Sequence, residues 1–285
     1  MTEVLLASQD KTDLATPIII ENANDPRINA YRNIRERDLV GRNGRFIAEG
    51  EVVLRVLLKQ DHFAIETILL SQRRAAASTD LIASVPADVP VYVADDVVLE
   101  QIAGFHVHRG ILATGLKIKT QTLQDTLATL PKEALIVVCI GIANHDNLGG
   151  IFRNAAAFGA TAVLLDAGSC DPLYRKAIRV SVGSTLVVPF VREGDGNGIL
   201  NALTHQGFMT LALSPTGEER LSNIVPAART ALFLGAEGTG LSNALIRRMS
   251  SVRISMASDF DSLNVATTSG IVLHHLYRSK NNPIL

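Results

Sequence analysis

Ten residues, Asn144-His145-Asp146-Asn147-Leu148-Gly149-Gly150-Ile151-Phe152-Arg153, hold two side-chain amides, an imidazole, a carboxylate and a guanidinium. An apolar run at 134–142 precedes them and reads as a fully buried strand. Asn154-Ala155-Ala156-Ala157-Phe158-Gly159 follows and reads as a helix closed by glycine. Polar groups concentrated where a strand ends and a helix begins point to ligand binding, because open α/β sheets bind ligands beyond the carboxyl ends of their strands.

A second segment, Leu232-Phe233-Leu234-Gly235-Ala236-Glu237-Gly238-Thr239-Gly240-Leu241-Ser242, repeats the pattern: a buried strand, a glycine-rich turn, a helix start. Glycine tolerates positive φ and lets a ligand approach the backbone. Glu237 is the only acid in this turn. With Asp259 about twenty residues on, the turn loosely imitates a dinucleotide fingerprint, but that motif normally opens its domain. The third segment, 254–270, contains Ile254, Ser255, Met256 and then Ser262-Leu263-Asn264-Val265. Ser262 or Asp261 is the expected cap of the helix that follows. The small residues Ala266, Ser269 and Gly270 predict close packing against another backbone.

The elements that must position these segments follow from periodicity. Short strands are expected at 17–20, 46–49, 67–70, 89–93 and 111–114, with helices at 31–39, 52–59 and 95–102. Residues 117–130 are polar and lack an apolar period, and Pro131 ends them. From 134 the alternation restarts, with strands at 134–142, 161–165, 185–191, 209–213, 231–234 and 252–256 and a last helix at 262–278. Strands alternating with helices imply a parallel sheet covered on both faces. The expected organisation is a loose tail (1–16), a small α/β domain (17–116), a linker (117–131) and a larger α/β domain (132–285).

Of the 285 residues, 47% are hydrophobic, which supplies a sizeable core. A net charge of −1 gives no global signal for nucleic acid and leaves a local one open. The two cysteines, Cys139 and Cys170, form no metal pattern. Cys139 is expected to pack as a small hydrophobe, and no metal role is expected for His106 and His108. The N-terminus does not read as a signal peptide, and the longest apolar run is too short to span a bilayer. A cytoplasmic protein without membrane contact is expected.

The three segments, in this order, resemble the SpoU (TrmH-like) family of RNA 2′-O-ribose methyltransferases, within the SPOUT class. Asn147, Gly149 and Arg153 match Asn-x-Gly-x-x-x-Arg. Gly235, Glu237, Gly238, Gly240 and Leu241 match Gly-x-Glu-Gly-x-Gly-Leu. Ile254, Met256 and Ser262 to Val265 match the third motif, with Ser255 where the family has proline and Ala266 where it often has serine. The stretch 171–183 also looks like the family. Residues 45–50 and 89–93 resemble the L30e-like substrate-binding domain that precedes many such enzymes. Arg27, Arg32, Arg35, Arg37, Arg42, Arg45 and Arg55 crowd that region, with Glu36, Asp38, Glu49 and Glu51 partly neutralising them. Arg32, Arg35, Arg42, Arg45 and, at the 106–110 turn, Arg109 are the expected RNA contacts.

The resemblance implies S-adenosylmethionine as methyl donor, a homodimer, and a deep trefoil knot in the carboxyl-terminal domain. It assigns Leu234, Gly235, Ile254, Met256 and Leu263 to cofactor binding. Arg153, Asn147, Glu237, Ser262 and Asn264 form the expected catalytic set. The family proposal of Arg153 as base conflicts with a guanidinium that stays protonated; binding the phosphate beside the target ribose suits it better. The alternatives are a non-catalytic RNA-binding or ribosome-assembly protein on the same fold and, ranked lower, base methylation. Ribosomal and transfer RNA remain equally open as substrates.

Overall fold

The computed structural model describes residues 15–32, 34, 44–257 and 262–281, with side chains to 277. Most of the 1–16 tail and of the helix expected at 31–39 lies outside these residues, as do Arg35, Arg37, Arg42, Asp259 and Asp261.

Two sheets organise the chain. The first contains β1 (Ile18–Ile20), β2 (Arg45–Glu49), β3 (Phe63–Ser71), β4 (Val91–Ala94) and β5 (Ile111–Lys117). Its order is β1-β4-β3-β5-β2, parallel through β1, β4 and β3 and antiparallel at β5. The helices α1 (Glu51–Leu57), α2 (Gln72–Ala77), α3 (Thr79–Ala83) and α4 (Asp96–Ala103) connect these strands. Neither α2 nor α3 is foreseen from the sequence, and a 3-10 turn at Pro26–Tyr31 precedes the segment expected to be helical.

The stretch expected to be a featureless linker contains α5 (Leu123–Ala128). Thr122 and Asp125 cap it reciprocally, satisfying two otherwise orphaned amides. Leu127 then buries into the second sheet's core. A six-residue helix whose two leucines, Leu123 and Leu127, span a single turn is too short to show an apolar period, which is why its composition reads as linker.

The second sheet comprises β6 (Ala134–Ile140), β7 (Ala162–Leu165), β8 (Phe190–Arg192), β9 (Met209–Leu213), β10 (Glu219–Arg220), β11 (Arg229–Gly235) and β12 (Ser250–Arg253). Every pairing is parallel, in the order β10-β12-β9-β11-β6-β7-β8. On β6, Val137 and Cys139 face one core while Ile136 and Val138 face the other. A strand buried on both faces is apolar at every position, unlike the alternating strand of a half-exposed sheet. Each such side chain contributes roughly 1.5–3 kcal/mol on burial. Cys139 is wholly buried. Burial also pushes the half-buried Cys170 thiol up to about 11.

Among the described residues six helices complete this half: α6 (His145–Ala157), α7 (Arg175–Val180), α8 (Ser184–Val187), α9 (Gly196–His205), α10 (Asn243–Ile246) and α11 (Val265–Asn281). The run 185–191, expected as one strand, divides into α8 and β8. Its β-branched composition favours a strand, but Thr185 and Leu186 are buried in a helical turn packed between larger elements, a case of tertiary context overriding propensity.

The two sheets do not pack as separate bodies. Leu173, Ile178 and Leu186 belong to the same buried cluster as Phe46, Val53, Leu54 and Leu57. Across this seam Arg175 Nη1 donates to Glu49 Oε2 at 2.5 Å, with side-chain exposures of 16% and 5%. Among the described residues no helix is long and apolar enough to cross a membrane.

Candidate functional site

The site grows from three strand ends. At the first, β6 stops where Gly141 takes φ +66°. Asn144 then caps α6: its Oδ1 accepts from Asp146 N at 2.8 Å and Asn147 N at 3.3 Å. Asp146 in the first turn suits the positive end of the helix dipole. Asn147 and Gly149 therefore sit inside a helix, not in a turn leading to one as the sequence suggests.

Helix α6 is clamped from two sides. A Cβ on Gly149 would stand 2.8 Å from Val180 Cβ and 3.0 Å from the Ala177 carbonyl oxygen on α7, and one on Gly150 would stand 2.7 Å from Ala266 Cβ on α11. Only glycine permits both approaches. Asn154 Nδ2 donates to the Ala266 carbonyl at 2.7 Å and to Ser269 Oγ at 2.9 Å, fixing α11 in register.

The second strand end is Gly235. The 236–240 turn folds back over it so closely that a Cβ there would lie 2.4 Å from the backbone of Gly240 and Leu241. Gly240 N donates to the Ala236 carbonyl at 2.9 Å, closing the loop, and Glu237 is left exposed on its crest.

The third follows β12. Asn264, not Ser262, is the residue that caps α11: its Oδ1 accepts from Ala266 N at 2.9 Å and Thr267 N at 3.2 Å. With Oδ1 occupied by the cap, Nδ2 points the other way and donates to Asn147 Oδ1 at 2.8 Å and Glu237 Oε1 at 3.2 Å. One amide thus joins all three segments.

Between the second and third segments lies a cavity of about 520 Å³, within the range of about 300–1,000 Å³ usual for small-molecule sites. Leu234, Gly235, Ile254, Met256 and Leu263, the residues assigned to cofactor binding, all line it, together with Glu237, Ser262 and Asn264. Leu213, Ser214 and Pro215 at the end of β9 line it too. They belong to no motif; the signal that finds them is the parallel pairing of β9 with β11, which brings their carboxyl ends to one edge. Apolar side chains around a backbone-rich turn suit a nucleoside-sized ligand bound through main-chain groups.

Arg153 lies elsewhere. It is exposed on α6, does not line the cavity, and makes no hydrogen bond or ion pair among the described residues. The expected RNA contacts divide. Arg45 is held by Glu66, Nε to Oε2 2.8 Å. Arg32 donates to Asn24 Oδ1 at 3.2 Å. Arg109 is exposed, while Arg35 and Arg42 lie outside the described residues. Of the neighbouring charges, Arg55 pairs with Glu51 and Asp80, and Glu49 turns away to the seam.

The SpoU rRNA Methylase family profile matches residues 134–274, the span that holds all three segments. An uncharacterized tRNA/rRNA methyltransferase of Mycobacterium bovis is 37% identical over 265 residues, covering 90% of each chain. Among solved structures, an AdoMet-bound rRNA methyltransferase from Sinorhizobium meliloti superposes with a TM-score of 0.78 at 22% identity, covering 93% of this chain and 98% of that one. An RNA 2′-O ribose methyltransferase gives 0.77 at 23%, covering 92% and 99%. At these identities the two structures speak for a common fold along nearly the whole chain. The sequence match extends about as far and is closer, and with the profile falling on the three strand ends that build the site, this chain belongs to the SpoU rRNA methylase family.

Proposed function

We propose that this protein transfers a methyl group from S-adenosylmethionine to a ribose 2′-hydroxyl of ribosomal or transfer RNA. The observation that carries the proposal is the amide of Asn264, held between Asn147 and Glu237 on the rim of the 520 Å³ cavity. Leu234, Gly235, Ile254, Met256 and Leu263 would hold the donor. When bound, it supplies an electrophilic methyl on a sulfonium.

The residues of the chain then have three tasks. Leu213, Leu234 and Ile254 exclude water from the cavity floor. Ser262, Asn264 and Glu237 at its rim offer hydroxyl, amide and carboxylate groups to orient the incoming hydroxyl, since alignment is the main requirement of a displacement. Glu237 is the side chain of this set able to accept the hydroxyl proton. Arg153, exposed and without a hydrogen bond or ion pair among the described residues, binds the phosphate next to the target ribose through its planar fork.

The same reading includes a homodimer, supported by Leu263 and Ile271, apolar residues exposed at and near the start of α11. It also includes the deep trefoil knot, supported by the way the 235–241 turn, Ile254, Met256 and residues 262–264 line one cavity. The first sheet serves as an L30e-like RNA-binding domain over 17–116, joined through 117–131 to the catalytic domain.

The test is transfer of labelled methyl from S-adenosylmethionine to ribosomal and transfer RNA, with the product digested to nucleosides. Label on a ribose is expected, and Arg153→Lys, which keeps the charge and loses the fork, should lower transfer at least tenfold. Label on a base, or RNA binding without any donor binding by calorimetry, would overturn the assignment. Undiminished transfer by the lysine variant would remove the bidentate role of Arg153.

A further inference from the structure

We propose that the seam between the two sheets carries a second RNA phosphate site, formed by Arg109 and Arg179 and separate from the methyl-transfer centre. It rests on the RNA reading above and adds to it where the substrate backbone crosses the protein.

Positive charge exceeds negative charge around two consecutive residues, Glu49 and Gly50. Glu49, at the end of β2, is buried and takes the Arg175 guanidinium at 2.5 Å. Arg175 is only 16% exposed and its guanidinium also lies 4.7 Å from the centre of the Phe105 ring. This arginine is consumed in holding the seam. Arg179, one turn along α7, is 3.9 Å from the same Glu49 oxygen and 38% exposed. Arg109 drapes across Gly50, where a Cβ would meet its Cδ at 2.7 Å and its Nη1 at 3.1 Å. It has no ion pair among the described residues, and Arg74 Nε donates to its carbonyl at 3.0 Å, bringing a further positive charge to the turn. Glu51, the next acid in sequence, is spent on Arg55.

Three guanidinium groups thus surround Glu49 and Gly50, where a single carboxylate is shared by Arg175 at 2.5 Å and, more distantly, by Arg179 at 3.9 Å, so the cluster keeps a net positive charge. Arg109 is exposed and Arg179, the more loosely held of the two Glu49 partners, is 38% exposed. An arginine pair in this setting matches the charge and geometry of phosphodiester oxygens.

Position favours a polynucleotide. Helix α7, which carries Arg179, lies directly on α6 at Gly149, and Arg153 follows Gly149 by about one helical turn. A backbone bound at the seam therefore runs across α7 toward Arg153. The shared core of Leu173, Ile178 and Leu186 with Phe46 and Leu54 holds the two ends of that path at fixed separation.

The experiment measures RNA binding of the full chain against potassium chloride concentration. The variants are Arg109→Gln, Arg179→Gln, the pair, and Arg179→Lys. Each lost phosphate contact should flatten the slope of log K against log salt by about 0.7–0.9, so the double variant should lose about twice that. Arg179→Lys should keep the slope. Affinity for S-adenosylmethionine should stay at the wild-type value in every variant. Should Arg179→Gln prove unstable, Arg109→Gln, an exposed change, decides alone. Unaltered slopes in folded variants, with wild-type RNA binding intact, would overturn the seam site only. A wild-type chain that binds no RNA at any salt overturns both this site and the reading on which it rests.

Discussion

Asn264 Nδ2 donates to Asn147 Oδ1 at 2.8 Å across 117 residues of chain, while Asn264 Oδ1 caps α11. The two ends of one amide therefore do different work: one starts a helix, the other ties the three segments of the site together. Serine at this position keeps a capping oxygen and cannot reach Asn147. We expect Asn264→Ala to lose about 1 kcal/mol through the cap, with a further loss from the unpaired Asn147 oxygen. Asn264→Ser should recover the capping part in thermal denaturation yet remain as poor as the alanine variant in methyl transfer. Equal activity of the serine variant and wild type would show that the bridge has no part in the reaction.

The contact of Gly150 with Ala266 sets a second expectation. In an isolated helix Gly→Ala stabilises by about 1 kcal/mol. Here the new methyl would be 2.7 Å from Ala266 Cβ, and overpacking costs typically about 1–3 kcal/mol. Gly150→Ala should therefore lower the denaturation midpoint, and Ala266→Gly in the same chain should restore part of it. A double-mutant cycle measures the coupling directly; additive effects would count against the contact.

Glu49 and Arg175 give the third. Removing one partner of a buried ion pair strands the other, at a cost of about 3–5 kcal/mol. Glu49→Gln should destabilise the whole chain by an amount near the low end of that range, because Arg175 keeps 16% exposure and its place beside Phe105. Urea denaturation checks this. A loss below about 1 kcal/mol would mark the pair as no stronger than a surface bridge.

Cysteine chemistry supplies a pH dependence. Burial pushes the Cys170 thiol from 9.0 up to about 11, and Cys139 is wholly enclosed. The neutral thiol is favoured in the folded state, so its contribution to stability is complete below pH 9.0 and is lost as pH rises toward about 11. At pH 8 the thiolate fraction of Cys170 is on the order of one in a thousand. Iodoacetamide should modify the native protein slowly at pH 8, faster by about tenfold per pH unit up to the pKa, and at one site. Rapid labelling of both cysteines at pH 8 in the native protein would contradict the burial described.

Particular residues show how far the chain could be read unaided. The β6 strand was legible because Leu135 to Ile140 admit no polar residue, and the part of β11 from Ala231 to Leu234 for the same reason. The cavity was legible in part: Leu234, Gly235, Ile254, Met256 and Leu263 line it, while Leu213 and Pro215 escaped because pairing of β9 with β11 is a property of the sheet and not of any local pattern. The beginning of α6 was placed too late, since two adjacent glycines argue against a helix locally; their reason lies in α7 and α11, which press on them from either side. The capping role of Asn264 is not legible, because Ser262 and Asp261 are equally good caps and precede it. The seam was invisible, because Glu49 is distinguished from its acidic neighbours only by an arginine 126 residues away.

The strand order has a consequence during synthesis. β6 lies at the centre of the second sheet, with β7 on one side and β11 on the other. β7 leaves the ribosome soon after β6, but β11 begins only at Arg229. At a synthesis rate of roughly 5–20 residues per second, one edge of the wholly apolar β6 waits roughly 5–20 s for its permanent neighbour. Until then the nascent chain presents an open, uncharged strand edge of the kind that recruits foreign strands. The interval during which that edge stays open is set by nothing more than where β11 falls along the chain.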